Sequence, residues 1–257
     1  MSHPHRFFID SIPEELIKDG KSCELALSQE DSRHALRVLR LEEGSALHLI
    51  SRQTGHQFRA ILTGTSSPAL VKVIGLENRS APANPVGTLA FALSKGAKND
   101  FVCEKASELG VPQIIFWMAD RSVVKIHSPA DGQKKLERWQ RIAEAAAKQS
   151  GNNLIPKITL ALSLEQLIEE LEQRIKPSEQ LLVCALEQDA KPVRELVLSG
   201  ASHVVVGPEG DFTENELQLL MKRRFASISL GPATLRSETA AVVAIAAIQA
   251  VCGFDAR

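Results

Sequence analysis

Late in the chain, one arginine, two carboxylates and a set of glycines are spaced to do chemistry. Glu209 lies within Gly207-Pro208-Glu209-Gly210, and Arg236 and Glu238 lie within Leu230-Gly231-Pro232-Ala233-Thr234-Leu235-Arg236-Ser237-Glu238-Thr239-Ala240. An arginine is a permanent planar cation, suited to clamping a phosphate or stabilising negative charge that develops on an oxygen. A carboxylate can accept a proton or hold an amine or a ribose hydroxyl. Glu238 is equally well placed to compensate the dipole of a helix in its first turn. Glycine lets backbone groups approach a ligand closely because no Cβ intervenes. Either Gly-Pro pair alone would serve simply to end a strand. As a tandem pair beside Arg236, Ser237, Glu238 and Thr239 they point to a small molecule read by main-chain hydrogen bonds.

The elements that must position these residues are short. Val204 to Val206 read as a buried strand, and Thr213-Glu214-Asn215-Glu216 has the spacing of a capping box that opens a helix. Ile228 to Leu230 read as a second strand, and Ser237 or Thr239 as the N-cap of an Ala-rich helix running to Cys252. Both turns then lie at carboxyl ends of strands, the usual binding edge of an open α/β sheet. The last helix is apolar on nearly all sides, which calls for burial all round and suggests a dimer interface.

Composition sets the outer bounds. The chain has 257 residues, 44% hydrophobic and 24% charged, with a formal net charge of -1, so any RNA contact must come from local patches. Cys23, Cys103, Cys184 and Cys252 are scattered without metal-type or redox-type spacing. His3, His5, His34, His48 and His56 match no metal motif, and no metal is expected. The start lacks a signal-peptide core, and the most apolar stretch, Ala240 to Cys252, is short of the ~20 residues a membrane span needs, so a cytoplasmic protein is expected. Neither a Gly-x-Gly-x-x-Gly turn after an early strand nor a phosphate-binding Gly-Lys-Ser/Thr loop is present.

In chain order, residues 1–76 read as a small β-rich unit with strand-like runs at Cys23–Leu27, Ala46–Ile50, Gln57–Leu62 and Leu70–Leu76. A helix over Glu30–Leu39 sets Arg33, Arg37 and Arg40 along one side, opposite Ala35, Leu36 and Leu39. That stripe is placed either to meet phosphates or to form an ordinary solvated face. Residues 77–85 are a linker dense in turn formers. From 86 to 257 strands and helices alternate, which argues for a parallel sheet covered by helices. A basic turn at Ser94–Asp100 carries Lys95, and helices are expected over Phe101–Leu109, Leu136–Gln149 and Ser163–Arg174. Strand-like runs fall at Thr88–Leu93, Ile114–Trp117 and Leu181–Leu186. Between Arg121 and Lys148 seven basic residues face three acidic ones; Arg121, Lys125, Arg138 and Arg141 are the candidate phosphate contacts.

The two late turns resemble the S-adenosyl-L-methionine site of the SPOUT methyltransferases. More closely they resemble the ribosomal small-subunit RNA methyltransferase E family. The likeness extends to His34–Gly44, to Arg6, to Lys95-Gly96, to Glu104–Val111 and to Glu137–Gly151. Asn152 and Ala233 stand where that family usually has arginine. The resemblance implies a PUA-like RNA-docking β-barrel, then a SPOUT-type α/β knot with helices on both faces of a parallel sheet. It also implies a homodimer and methylation of uridine N3 in the 16S ribosomal RNA of the small subunit, with no DNA or membrane partner. The cofactor would be surrounded by Val206, Gly207, Pro208, Glu209, Gly210, Leu230, Gly231, Leu235, Arg236, Thr239 and Ala240. RNA would be met by Arg6, Arg33, Arg37, Arg40, Lys95, Arg121, Lys125, Arg138 and Arg141.

Uracil N3 holds its proton at neutral pH, so such a site needs a base or a cation that stabilises charge on the uracil oxygens. Arg236 is the first candidate for that cation, with Glu209 and Glu238 as candidate carboxylates. Two other readings remain at this point: a non-enzymatic RNA-binding or ribosome-assembly factor on the same fold, and a methyltransferase of another RNA position. Fold does not choose among them.

Overall fold

The computed structural model describes residues 4–10, 12–13, 22–78, 84–185, 189–197 and 200–252. His3, part of the expected linker, and the expected strand end at Leu186 with Glu187 lie outside them. The described residues fall in two units, one drawn from 1–82 with 148–155, the other from 83–147 with 156–257.

In the first unit, alternation of apolar and polar side chains produces a sheet with one buried face. Strands β1 (His5–Ile9), β2 (Cys23–Ala26), β3 (Ala46–Ser51), β4 (Gln57–Gly64) and β5 (Leu70–Asn78) are ordered β1-β3-β4-β5-β2. β1 runs parallel to β3, and the other pairs are antiparallel. Phe58, Ala60 and Leu62 of β4 bury with Phe7, Leu47, Leu49, Val71 and Val73. β1 is an element that the sequence reading did not propose.

The arginine-bearing helix differs from its expected form. α1 covers only Gln29–Arg33, capped by Ser28, whose Oγ accepts from Asp31 N–H. His34–Val38 then winds as a π-turn, and Arg40 takes a positive φ of 52°. A regular 3.6-residue period misses the extra residue in that turn. Arg33, Arg37 and Arg40 are all exposed.

The segment Lys148–Ile155 belongs to this first unit, which the change in sequence texture near residue 77 did not suggest. The reason is local bonding. Arg6 donates to Asn152 O at 3.2 Å and to Asn153 Oδ1, and Lys148 Nζ lies 3.3 Å from Asp31 Oδ1.

The second unit is a seven-stranded, wholly parallel sheet. Its strands are β6 (Val86–Ala92), β7 (Gln113–Trp117), β8 (Lys157–Ala161), β9 (Gln180–Cys184), β10 (Lys191–Pro192), β11 (Ser202–Val206) and β12 (Ala226–Ser229). They are ordered β10-β12-β9-β11-β6-β7-β8. β7 and β11 are buried along their whole length, as a parallel sheet covered on both faces requires.

The helices are α2 (Lys98–Glu108), α3 (Pro129–Ser150), α4 (Leu164–Glu172), α5 (Glu214–Lys222) and α6 (Ser237–Val251). α3 starts two turns earlier than expected. Ser128 Oγ accepts from Asp131 N–H, and Pro129 occupies the first helical position, where no N–H is needed. α4 buries Leu164, Leu167, Ile168 and Leu171, and α5 carries the expected Thr213–Glu216 capping box. Among the described residues no helix is long and apolar enough to cross a membrane.

Candidate functional site

Carboxyl ends of β9, β11 and β12 open onto a cavity of about 720 Å³, a size typical of small-molecule sites. Val206, Gly207, Pro208 and Glu209 line one side; Leu230, Gly231, Leu235, Arg236 and Ala240 line another. Both Gly-Pro turns therefore face the same space. Gly210 and Thr239, expected to touch the ligand, and Glu238, expected as a catalytic carboxylate, are not among the lining residues. Ser237, named with the polar cluster beside the turns, lines it too, and Cys184, Ala185, Asp211, Ile228, Ser229, Ala233, Thr234 and Lys98 also line it and were not anticipated.

The glycines act differently from one another. A Cβ on Gly207 would lie 2.7, 2.9 and 3.0 Å from three ring atoms of Phe212, so its missing side chain makes room for that ring. Phe212 in turn stacks on Trp117 at 6.0 Å, and Trp117 Nε1–H donates to Val206 O at 3.3 Å. Gly231 has open space around it but a φ of 134°, a conformation L side chains rarely adopt. One glycine is thus required by packing and the other by backbone geometry.

Arg121 secures the first loop. Its Nη1 donates to Gly210 O at 2.8 Å and to Phe212 O at 3.2 Å. Other members of the expected basic patch are similarly engaged: Lys125 Nζ donates to Ala119 O and Asp120 O at 3.4 Å, Arg138 pairs with Asp100, and Arg141 Nε donates to Glu137 O at 3.3 Å. Arg6 is tied to Gln57, Asn152 and Asn153. Lys95 is exposed in the turn before α2.

The last helix begins one residue before the expected caps. Arg236 is its N-cap and supplies no side-chain cap bond, while Ser237 is its first helical residue and turns its hydroxyl to Glu238 Oε2 at 3.4 Å. A carboxylate in the first turn serves the exposed N–H groups in place of a capping hydroxyl.

Lys98 at the start of α2 is the cation that sequence reasoning missed at the site. Its Nζ lies 3.0 Å from Glu209 Oε1 and 3.1 Å from Glu238 Oε2. The Glu209 hydrogen bond, opposed by desolvation and aided by Glu238, holds the Lys98 ammonium above the ordinary lysine range. Burial works against ionising Glu238. Its own backbone N–H, the Lys98 bond and charge, and the Ser237 hydroxyl outweigh that and hold the carboxyl below its ordinary value. Glu238 is therefore a committed anion and a weak proton acceptor. Burial pushes the Cys184 thiol up to about 12, leaving it neutral. Arg236 is exposed at the cavity wall, and among the described residues its guanidinium has no hydrogen bond or ion pair.

Residues 82–249 match the RNA methyltransferase domain family. Over 255 residues the chain is 31% identical to the ribosomal RNA small subunit methyltransferase E of Bacillus subtilis, covering 95% of each chain. The chain belongs to the ribosomal RNA small subunit methyltransferase E family. A Synechocystis member is 30% identical over 93% of this chain and 76% of its own length. Among solved structures, a family member from Neisseria gonorrhoeae bound to S-adenosyl methionine superposes with a TM-score of 0.81 at 28% identity, covering 97% of this chain and 98% of that one. A putative methyltransferase from Legionella pneumophila, in complex with the same cofactor, gives 0.81 at 29% identity with the same coverage. Family membership and the α/β fold thus agree with the resemblance carried by the two turns.

Among the described residues, no group of three or more His, Cys, Asp or Glu side chains is arranged to hold a metal.

Proposed function

We propose that this chain transfers a methyl group from S-adenosylmethionine to N3 of a uridine in small-subunit ribosomal RNA. The observation that carries the reading is the cavity itself: both Gly-Pro turns wall it, and the one cation on its lining without a protein partner among the described residues is Arg236.

The residues present fit the cofactor. Backbone groups of Gly207, Pro208, Leu230 and Gly231 are available to its polar edges, and Ile228, Leu235 and Ala240 offer apolar surface. When bound, S-adenosylmethionine supplies an electrophilic methyl on a sulfonium, so the protein's task is to align the acceptor and manage its proton. Arg236 supplies a fixed positive charge for the negative charge that develops on a uracil oxygen as N3 loses its proton. Glu238, already neutralised by Lys98, is better suited to holding structure than to taking that proton. Glu209 shares that lysine at 3.0 Å, but with its side chain 52% exposed it is the more available carboxylate.

In the same reading residues 1–76 form the PUA-like RNA-docking domain, and Arg33, Arg37 and Arg40 are its exposed phosphate contacts. Residues 86–257, apart from the 148–155 segment that groups with the first unit, form the SPOUT domain, with the carboxyl-terminal segment threaded through a loop. Half-buried Val242, Val243 and Ala247 with exposed Ala246 and Ala250 on α6 support a homodimer across that helix. The cytoplasm is the compartment consistent with this substrate.

The test incubates the protein and labelled S-adenosylmethionine with hypomethylated small subunits and with naked ribosomal RNA, followed by nucleoside mass spectrometry. 3-Methyluridine establishes the reaction. Cofactor binding without transfer to either substrate points to another RNA, and absence of both overturns the proposal.

A further inference from the structure

Glu209 lines the cavity, Glu238 stands behind its α6 wall between the lining residues Ser237 and Ala240, and a single lysine from a third element reaches both. Glu209 stands on the loop after β11, Glu238 in the first turn of α6, and Lys98 opens α2 after the turn that follows β6. Resting on the methyl-transfer reading above, we propose that Lys98 is a positioning residue. It is a latch that fixes the Gly207–Asp211 loop against α6 and so keeps Arg236 in register with the opposite wall.

The connections support a latch more than a surface ion pair. The side chains of Glu238 and Lys98 are 16% and 27% exposed, so the helix-side contact is drier and less screened than one between fully solvated groups, while Glu209 at 52% is the more solvated end. Among the described residues, no direct hydrogen bond joins residues 207–212 to residues 237–251. The loop's other anchors, Arg121 on Gly210 O and Phe212 O and the Phe212 ring under Gly207, lead instead towards Trp117 and β7. Lys98 is the polar link between the loop and the helix, beside the apolar packing of α6 on α2, β6 and β11.

Arg236 depends on that coupling. It precedes Glu238 by two residues as the N-cap of α6, and its own side chain has no partner among the described residues. Where Glu238 is held, the Arg236 backbone is held. Without the ammonium, Glu209 and Glu238 would present two like charges to each other, which favours separation of the walls.

The test uses the full chain with Lys98→Met, Lys98→Arg and the double variant Lys98→Met/Glu209→Gln. Three quantities are measured: amide hydrogen exchange of residues 209–212 without cofactor, the dissociation rate of S-adenosylmethionine, and kcat with KM for small subunits. Lys98→Met is expected to melt within about 3 °C of the parent, because the lysine lies outside the hydrophobic core. Exchange in the loop should rise, and cofactor dissociation should accelerate roughly three- to tenfold. kcat at saturating cofactor should fall about tenfold or more with little change in KM for RNA, because misplacing Arg236 affects the chemical step. Lys98→Arg should recover most of each change. The double variant relieves the carboxylate repulsion without restoring the latch and should retain the fast loop exchange of Lys98→Met. Parental loop exchange and parental kcat in Lys98→Met would overturn the proposal. If the parent binds no S-adenosylmethionine, the methyl-transfer reading fails. Faster loop exchange in Lys98→Met would still support the latch, and unchanged exchange would overturn it.

Discussion

Gly207→Ala is the smallest change that should disturb the cavity wall, and its size can be worked from the packing around one ring. The new Cβ would stand 2.7, 2.9 and 3.0 Å from Cε2, Cδ2 and Cζ of Phe212, whereas carbon atoms rest about 3.5–4.0 Å apart. Relief requires the ring to move by more than half an ångström. Phe212 is 4% exposed and stacked on Trp117, so the ring has no free side to move into. Overpacking of this kind costs about 1–3 kcal/mol. Moving the loop instead would disturb the Arg121 bonds to Gly210 O and Phe212 O. The variant should therefore lose stability in urea titrations and bind S-adenosylmethionine at least about tenfold more weakly by calorimetry. Phe212→Leu removes the colliding ring edge. Alone it should destabilise by leaving a void beside Trp117; in the Gly207→Ala background it should cost at least about 1 kcal/mol less. Strictly additive effects, or Gly207→Ala with parental stability and affinity, would show that the Phe212 contact is not why a glycine stands at 207.

Three other outcomes follow from the same geometry. Arg236→Ala should lower kcat by roughly 10²–10³ with cofactor affinity nearly intact, as expected for a group acting on developing charge; a parental rate in single-turnover assays would remove it from catalysis. Arg121→Met should weaken cofactor binding about fivefold by loosening the loop it spans, leaving RNA affinity unchanged in filter binding; the reverse pattern would make it a phosphate contact. Glu179 accepts from Lys176 N–H at 2.9 Å, and that bond, against the opposition of burial and with help from His203, holds its carboxyl below the ordinary range. A depressed folded pKa gives stability that is present above the unfolded value and lost as pH falls through the folded one. Glu179→Gln should thus cost roughly 1–2 kcal/mol in denaturant titrations at neutral pH, and the difference should vanish well below about pH 4.

Local signals in the sequence mark the elements around the site well. The β-branched run ending at Val206, the capping box at Thr213–Glu216 and the leucine spacing of α4 each depend on neighbours a few residues away, and each is found as expected. What could not be read depends on partners distant in sequence or on phase. The excess of basic residues between Arg121 and Lys148 looks free when charges are counted along the chain. In the fold, Asp100, 38 residues before Arg138, and the carbonyls of Gly210 and Phe212, about 90 residues after Arg121, engage two of them. Lys95 and Lys98 share one basic turn, and composition does not say which faces the cavity. Lys98 does because α2 begins there and its first residue sits at the carboxyl edge of the sheet. The π-turn after α1 is invisible for a similar reason, since one added residue leaves the apolar pattern almost unchanged.

The two cations of the cavity illustrate why residue type alone underdetermines a role. Both Lys98 and Arg236 carry permanent charge at neutral pH and line the same space. Lys98 is satisfied twice by carboxylates at 3.0 and 3.1 Å, so the charge it offers an incoming base is already spent. Arg236 faces the same cavity with no such partner among the described residues, so its planar donors are not committed to a counter-ion. A cation serves a transition state best when it meets its charge there for the first time. On that ground the arginine is the residue we propose for the reaction and the lysine the one we propose for holding the arginine in place.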